Sequence, residues 1–115
     1  MKRAILLAAS LAIAAAAAGE APRRIVSLSP NLTEILYGIG AFSQVAGVTD
    51  YCTYPPEVKK VPSVGGWDGA NLEKLLALRP DLVVVDDAEA PFIEGKVKAL
   101  GFGVLVVPNH TVADV

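Results

Sequence analysis

Side chains able to do covalent or metal chemistry are few and scattered in this 115-residue chain. Asp86-Asp87 is an acid pair of the kind that binds a metal or accepts a phosphoryl group at a strand end. A phosphoacceptor site of that type needs a further Asp on a later strand and a Lys beyond it, an order absent here. The pair therefore reads as solvated strand-end carboxylates. His110 has no second His and no Cys at metal-ligand spacing, which makes it a lone surface imidazole. Ser27 and Ser29 lack the G-x-S-x-G frame of a nucleophile elbow. Gly38-Ile39-Gly40 falls at a helix end and is no dinucleotide fingerprint. Cys52, the single cysteine, is a free thiol, an intermolecular partner or a site residue, with an inert, partly buried thiol as the plainer reading. No catalytic constellation emerges. What remains is aromatic: Tyr51, Tyr54 and Trp67 flank Gly65-Gly66 within the stretch Val48 to Val85. Rings on loops beside a rigid strand suit a shallow binding surface, and the same rings could equally cap the edge of a core.

The elements that must position these residues follow a repeating pattern. Arg24 to Leu28 reads as a short buried strand running into a helix start. Two caps compete there: Ser29 with Pro30 at the first helical position, or Asn31 with Glu34 three residues on. Ile35, Leu36 and Ile39 supply the apolar stripe, and Gly38 and Gly40 mark the end. Such a helix start would face the carboxyl edge of the sheet, where ligands of open parallel sheets sit. Val45 to Val48 is a second strand, and Tyr54-Pro55-Pro56-Glu57 excludes regular structure. Lys59-Lys60 follows as a solvent-facing pair of loop charges. Asn71 caps the next helix, with Leu72, Leu75 and Leu76 on one face and Glu73 and Lys74 turned outward. Arg79-Pro80-Asp81 stops it. Leu82 to Val85 is apolar without alternation, as for a strand covered on both faces. A helix over Ala90–Leu100 points Phe92, Ile93, Val97 and Leu100 inward, and Gly103 to Pro108 is a fourth strand. The fold class is α/β: a mostly parallel sheet flanked by helices, with right-handed crossovers.

Composition narrows the setting. Met1-Lys2-Arg3, an apolar run from Ala4 to Ala18 and a small-residue junction predict a cleavable signal peptide over residues 1–19. The run is short of the roughly 20 residues of a membrane span. With no Cys at the junction, a lipid anchor there has no attachment residue, so a soluble exported protein is expected. Without Lys2 and Arg3 the chain keeps 8 Lys+Arg against 12 Asp+Glu, a net charge of −4. That balance argues against nucleic acid or anionic membrane as partners. One Cys cannot close an internal disulfide, so packing must hold the fold.

Four stretches together resemble the periplasmic substrate-binding proteins of ABC importers for cobalamin, haem and ferric siderophores. They are RIVSLSPNLTEILYGIGA (24–41), VAGVTDYCTYPPEVKKVPSVGGW (45–67), NLEKLLALRPDLVVV (71–85) and LGFGVLVVP (100–108). The D-Y-C-x-Y-P-P loop followed by G-G-W is most similar to the cobalamin-binding branch. The resemblance implies a two-lobed architecture, with residues 20–110 as the N-terminal α/β lobe and residues 111–115 as the start of the interlobe helix, the second lobe absent. It implies a corrinoid ligand resting on Tyr51 and Trp67, with Ser29, Cys52 and Gly66 as further candidate contacts, and no catalytic residue, bound metal or cofactor. Cys52 departs from the family pattern. Glu73 matches the acid that docks on the permease, and the periplasm is the implied location, with the membrane met only through the permease and ATPase complex. A haem site of this family would use a Tyr as iron ligand, which Tyr51 or Tyr54 could supply. With half the cleft missing, residues 20–115 alone are expected to bind ligand weakly or not at all. A secreted α/β hydrolase, from another class, would need a nucleophile elbow and a His partner that this sequence does not offer.

Overall fold

The computed structural model describes residues 21–66 and 69–108. The expected signal peptide, Trp67, His110 and the expected helix start at Thr111 lie outside the described residues. Strand β1 is Ile25–Ser27, helix α1 Pro30–Gly38 and strand β2 Val45–Gly47. Two-residue strands β3 (Gly65–Gly66) and β4 (Gly69–Ala70) come next, then helix α2 (Leu72–Leu78), strand β5 (Leu82–Asp86), helix α3 (Ala90–Ala99) and strand β6 (Gly103–Val107). The main sheet has the order β2-β1-β5-β6, and every pairing in it is parallel. The α/β class with helices flanking a parallel sheet is therefore what the chain adopts.

Strand alternation builds two cores, one on each face. Ile25, Val45, Leu82 and Val84 pack with Leu32 and Leu36 of α1 and with Val58 on one side. Val26, Val83 and Val85 pack with Leu75 of α2 and with Ala90 and Val97 of α3 on the other. This explains the unbroken apolar run of β5: successive residues enter opposite cores, and all five of its residues are buried. Fully burying each such valine or leucine contributes about 1.5–3 kcal/mol.

Helix ends show which of the competing signals the chain uses. Pro30 occupies the first turn of α1 after Ser29, so Asn31 lies inside the helix rather than capping it. Asn71 does cap α2, its Oδ1 accepting the Glu73 and Lys74 amides at 2.9 and 3.1 Å. At the other end Arg24 Nε donates to the Leu78 carbonyl at 2.8 Å, and Arg79 turns the chain at φ 51. Asp81 then receives the amides of Arg23 and Arg24 at 2.8 and 3.0 Å, which fastens the start of β1 beside the start of β5.

Three side chains expected inside are outside. Ile35 and Leu76 are about half exposed and Phe92 is 76% exposed, while Leu32, Thr33 and Leu36 carry the buried face of α1. Each helix is docked about one residue round from the stripe its apolar residues suggested. The double-proline segment also differs: Pro56–Lys60 forms a 3₁₀ helix that drives Val58 into the first core, with Lys59 and Lys60 exposed as expected. Proline in a first turn gives up only an amide that has no helical partner there, which is why the prolines start this helix instead of forbidding it.

Candidate ligand-binding cleft

The sheet order places a topological switch beside β1. From β1 the chain steps through α1 to β2 on one side, then crosses to β5 on the other. In open α/β sheets the crevice outside the carboxyl ends of the strands at such a switch receives ligands. An open cleft of about 560 Å³ lies there, lined by Leu28 and Ser29 after β1, Asp86 at the end of β5, and Thr49 and Tyr51 after β2. Helix α3 forms the opposite wall through Glu89, Phe92, Ile93 and Lys96. Gly66, Ala70 and Leu72 close the third side. The volume is that of a small-molecule site.

A chain of hydrogen bonds fixes the Tyr51 side. Beyond β2, Val48 donates to the Pro62 carbonyl at 3.0 Å and receives the Val64 amide at 2.8 Å. Asp50 extends this ladder, its amide meeting the Gly65 carbonyl at 2.8 Å and its carboxylate accepting the Ser63 hydroxyl. Tyr51 is thereby held next to the β3–β4 hairpin. The hairpin needs glycine three times: Gly65 and Gly69 have φ +139 and +89, and a Cβ on Gly66 would stand 2.8 Å from Asp50 Oδ2. Its connecting residues, Trp67 and Asp68, lie outside the described residues.

Behind this wall sits a buried relay of hydroxyls. One consistent set of donors runs from Thr49 to Cys52 Sγ (3.4 Å), from the thiol to Thr33 Oγ1 (3.2 Å), and from Thr33 to Ser27 Oγ (2.8 Å). Ser27 completes it by donating to the Ser29 carbonyl at 3.1 Å. Every hydroxyl of this relay is thus satisfied within the core, as burial requires. Cys52 is 7% exposed and does not line the cleft. Its thiol is a strut under Thr49 and Ser29. Ser29 reaches the cleft wall at only 2% exposure, with its hydroxyl proton directed to Asn31 Oδ1 at 2.6 Å.

Residues that the sequence reading assigned other roles complete the cleft. Phe92 stands on its rim because α3 turns that ring outward. Asp86 is only 8% exposed, against the expected solvated strand-end acid, and its Oδ1 accepts the Glu89 amide at 2.9 Å to start α3. Asp87 alone of the pair is exposed. Glu89 is exposed overall, but partial desolvation of its carboxyl, and then repulsion from Asp86, pushes it above its ordinary range. Tyr54 is turned away to an exposed aromatic group with Tyr37, 5.6 Å between ring centroids, and does not line the cleft. Glu73 is exposed in the first turn of α2, next to the cleft residue Leu72. Among the described residues no group of acidic, His and Cys side chains is placed to hold a metal.

A family profile described as periplasmic binding protein matches residues 25–99. The chain belongs to the periplasmic binding protein family. Among relatives of this periplasmic binding protein, a vitamin B12-binding protein of Pectobacterium carotovorum is 46% identical over 63 residues, covering 55% of this chain and 23% of the relative. The chain thus spans about a quarter of the length of that relative. Of solved structures, the periplasmic vitamin B12 binding protein of Vibrio cholerae superposes with a TM-score of 0.68 at 35% identity, covering 74% of this chain and 34% of the other. A periplasmic heme binding protein of Pseudomonas aeruginosa superposes with a TM-score of 0.69 at 30% identity, covering 76% and 32% respectively.

Proposed function

We propose that this chain supplies one wall of the ligand site of a periplasmic substrate-binding protein that captures a cobalamin-type corrinoid and delivers it to an ABC importer. The observation that carries the reading is the open cleft at the carboxyl edge of the sheet, flanked by the Tyr51 and Phe92 rings with apolar Leu28, Ile93 and Leu72 around them. A corrin is a broad, flat ring with an amide fringe. It needs large apolar faces and a few neutral hydrogen-bonding groups, and aromatic rings supply such area with few rotors to freeze. Trp67, in the sequence next to Gly66, joins Tyr51 as a proposed ring contact, and similarity to vitamin B12-binding proteins supports the choice of ligand. Glu73, exposed beside the cleft, is the proposed contact for a basic residue of the permease. The proposed location is the periplasm, with the membrane met only through that permease. Nucleic acid is no part of the reading, since the acidic balance would repel it.

Similarity to a heme binding protein favours a second reading, haem with Tyr51 as the iron ligand. Equilibrium dialysis of the complete mature protein against cyanocobalamin, with haemin and a ferric siderophore as competitors, separates the two. Retention of cobalamin that neither competitor displaces is the expected result. Retention of haemin alone, with an absorbance band of phenolate-bound iron lost in Tyr51→Phe, would replace the corrinoid reading by the haem one.

A further inference from the structure

The acid pair at one end of the cleft has chemistry that the aromatic walls do not explain. Asp86 is more than nine-tenths buried and lines the cleft, and its Oδ1 accepts the Glu89 amide at 2.9 Å, which takes up one of the several lone pairs a carboxylate offers. Glu89 lines the same wall, and among the described residues neither carboxylate has an ion-pair partner. Lys96, the only cation on the cleft lining among the described residues, is exposed and seven positions further along the chain than Glu89. Two carboxylates are already close enough that repulsion from Asp86 raises the pKa of Glu89. A third negative charge brought in by a ligand would add to that repulsion while losing its own hydration. A neutral amide N–H, in contrast, finds an acceptor with a free lone pair in a poorly hydrated place, where a charge-assisted hydrogen bond is stronger than in water.

We infer that Asp86 and Glu89 set the charge selectivity of the cleft, accepting hydrogen bonds from a neutral, amide-bearing ligand rim and excluding ligands whose rim carries carboxylates. This rests on the corrinoid reading and deepens it: the repulsive element discriminates against the anionic chelates that share the fold's ligand range. The haem propionates and the carboxylates of many siderophores would meet the same two acids.

The test compares cyanocobalamin with its b-, d- and e-monocarboxylic acids, in each of which one rim amide has become a carboxylate. Binding to the complete mature protein is measured at pH 7 and low salt for the native sequence, Asp86→Asn, Glu89→Gln and the double variant. Asn keeps an oxygen for the Glu89 amide, so the start of α3 is preserved. At least one monoacid is expected to bind ten-fold or more weakly than cyanocobalamin to the native protein, and within three-fold of it to the double variant. Glu89→Gln alone, which leaves Asp86 and its hydrogen bond in place, should narrow the gap at least two-fold, and this arm decides the matter if Asp86→Asn fails to fold. Tight cyanocobalamin binding with no monoacid discriminated, or with a gap unchanged in the variants, overturns the inference and leaves the corrinoid reading standing. Failure of the native protein to bind any corrinoid overturns both.

Discussion

Gly66→Ala tests how the cleft is built. Gly66 lies in β3 without a positive φ, so alanine suits its backbone, and removing a glycine alone would stabilise by about 0.4–1 kcal/mol through the unfolded chain. The added methyl, however, would lie 2.8 Å from Asp50 Oδ2 and 3.4 Å from its Cβ and Cγ. Ordinary contact needs a few tenths of an ångström more, and the Asp50 carboxylate can give way only by leaving Ser63 Oγ, which it binds through its other oxygen. That charge-assisted hydrogen bond, in a partly exposed place, is worth roughly 1–2 kcal/mol. Gly66→Ala should therefore destabilise the native chain by about 0.5–1 kcal/mol. In an Asp50→Ala background, where the obstacle and the hydrogen bond are both gone, the same change should be neutral or stabilising. The expected coupling is about 1–2 kcal/mol, read from urea denaturation midpoints of the four proteins in a double-mutant cycle. An equal cost for Gly66→Ala in both backgrounds would refute the view that Asp50 ties the hairpin to the Tyr51 wall.

Asn71→Ala should destabilise by about 1 kcal/mol through loss of two amide acceptor contacts at the start of α2, with Asn71→Asp recovering most of it in the same urea titration. The Cys52 thiol should react with a disulfide reagent at least about a hundredfold more slowly in the native protein than in urea, since reagent reaches it only by opening of the core. Cys52→Ser should leave ligand affinity unchanged, and a loss of affinity without a loss of stability would return Cys52 to the ligand site. The raised carboxyl of Glu89 makes the folded state hold its proton longer than the unfolded chain does, so its contribution to stability falls as pH rises above about 4.5. Glu89→Gln should flatten that part of the profile by a fraction of a kcal/mol, because water screens this exposed side chain; parallel profiles from pH 4 to 7 would contradict it.

The fold was legible where one residue type admits one physical role. An unbroken apolar run such as Leu82 to Val85 can be covered only on both faces, and Asn71 ahead of a leucine-rich segment has little else to do but cap it. Helix docking was less legible. Ile35, Leu76 and Phe92 sit at the borders of their apolar stripes, and whether a border residue faces inward depends on where the sheet lies, which no local pattern encodes. The two-residue strands β3 and β4 are too short for any periodicity. Of the site, Tyr51, Ser29 and Gly66 come together on the cleft, and Cys52 does not. Asp86 was read as a solvated strand-end acid, and its burial at the start of α3, where it accepts the Glu89 amide, is a tertiary fact that the adjacent Asp-Asp pair does not encode. Phe92 was misplaced for the same reason that Ile35 was.

In the proposed complex a ring-shaped ligand rests between Tyr51 and Phe92. This placement is tested most directly by calorimetric titration of cyanocobalamin into the complete mature protein, beside Tyr51→Ala, Phe92→Ala and Tyr37→Ala. Tyr37 is an exposed aromatic packed on Phe42, 5.8 Å between centroids, and does not line the cleft. Loss of a stacked ring costs about 1–1.5 kcal/mol, so roughly ten-fold weaker binding is expected for each cleft variant and native affinity for Tyr37→Ala. Native affinity in both cleft variants, or equal weakening by Tyr37→Ala, would place the ligand elsewhere.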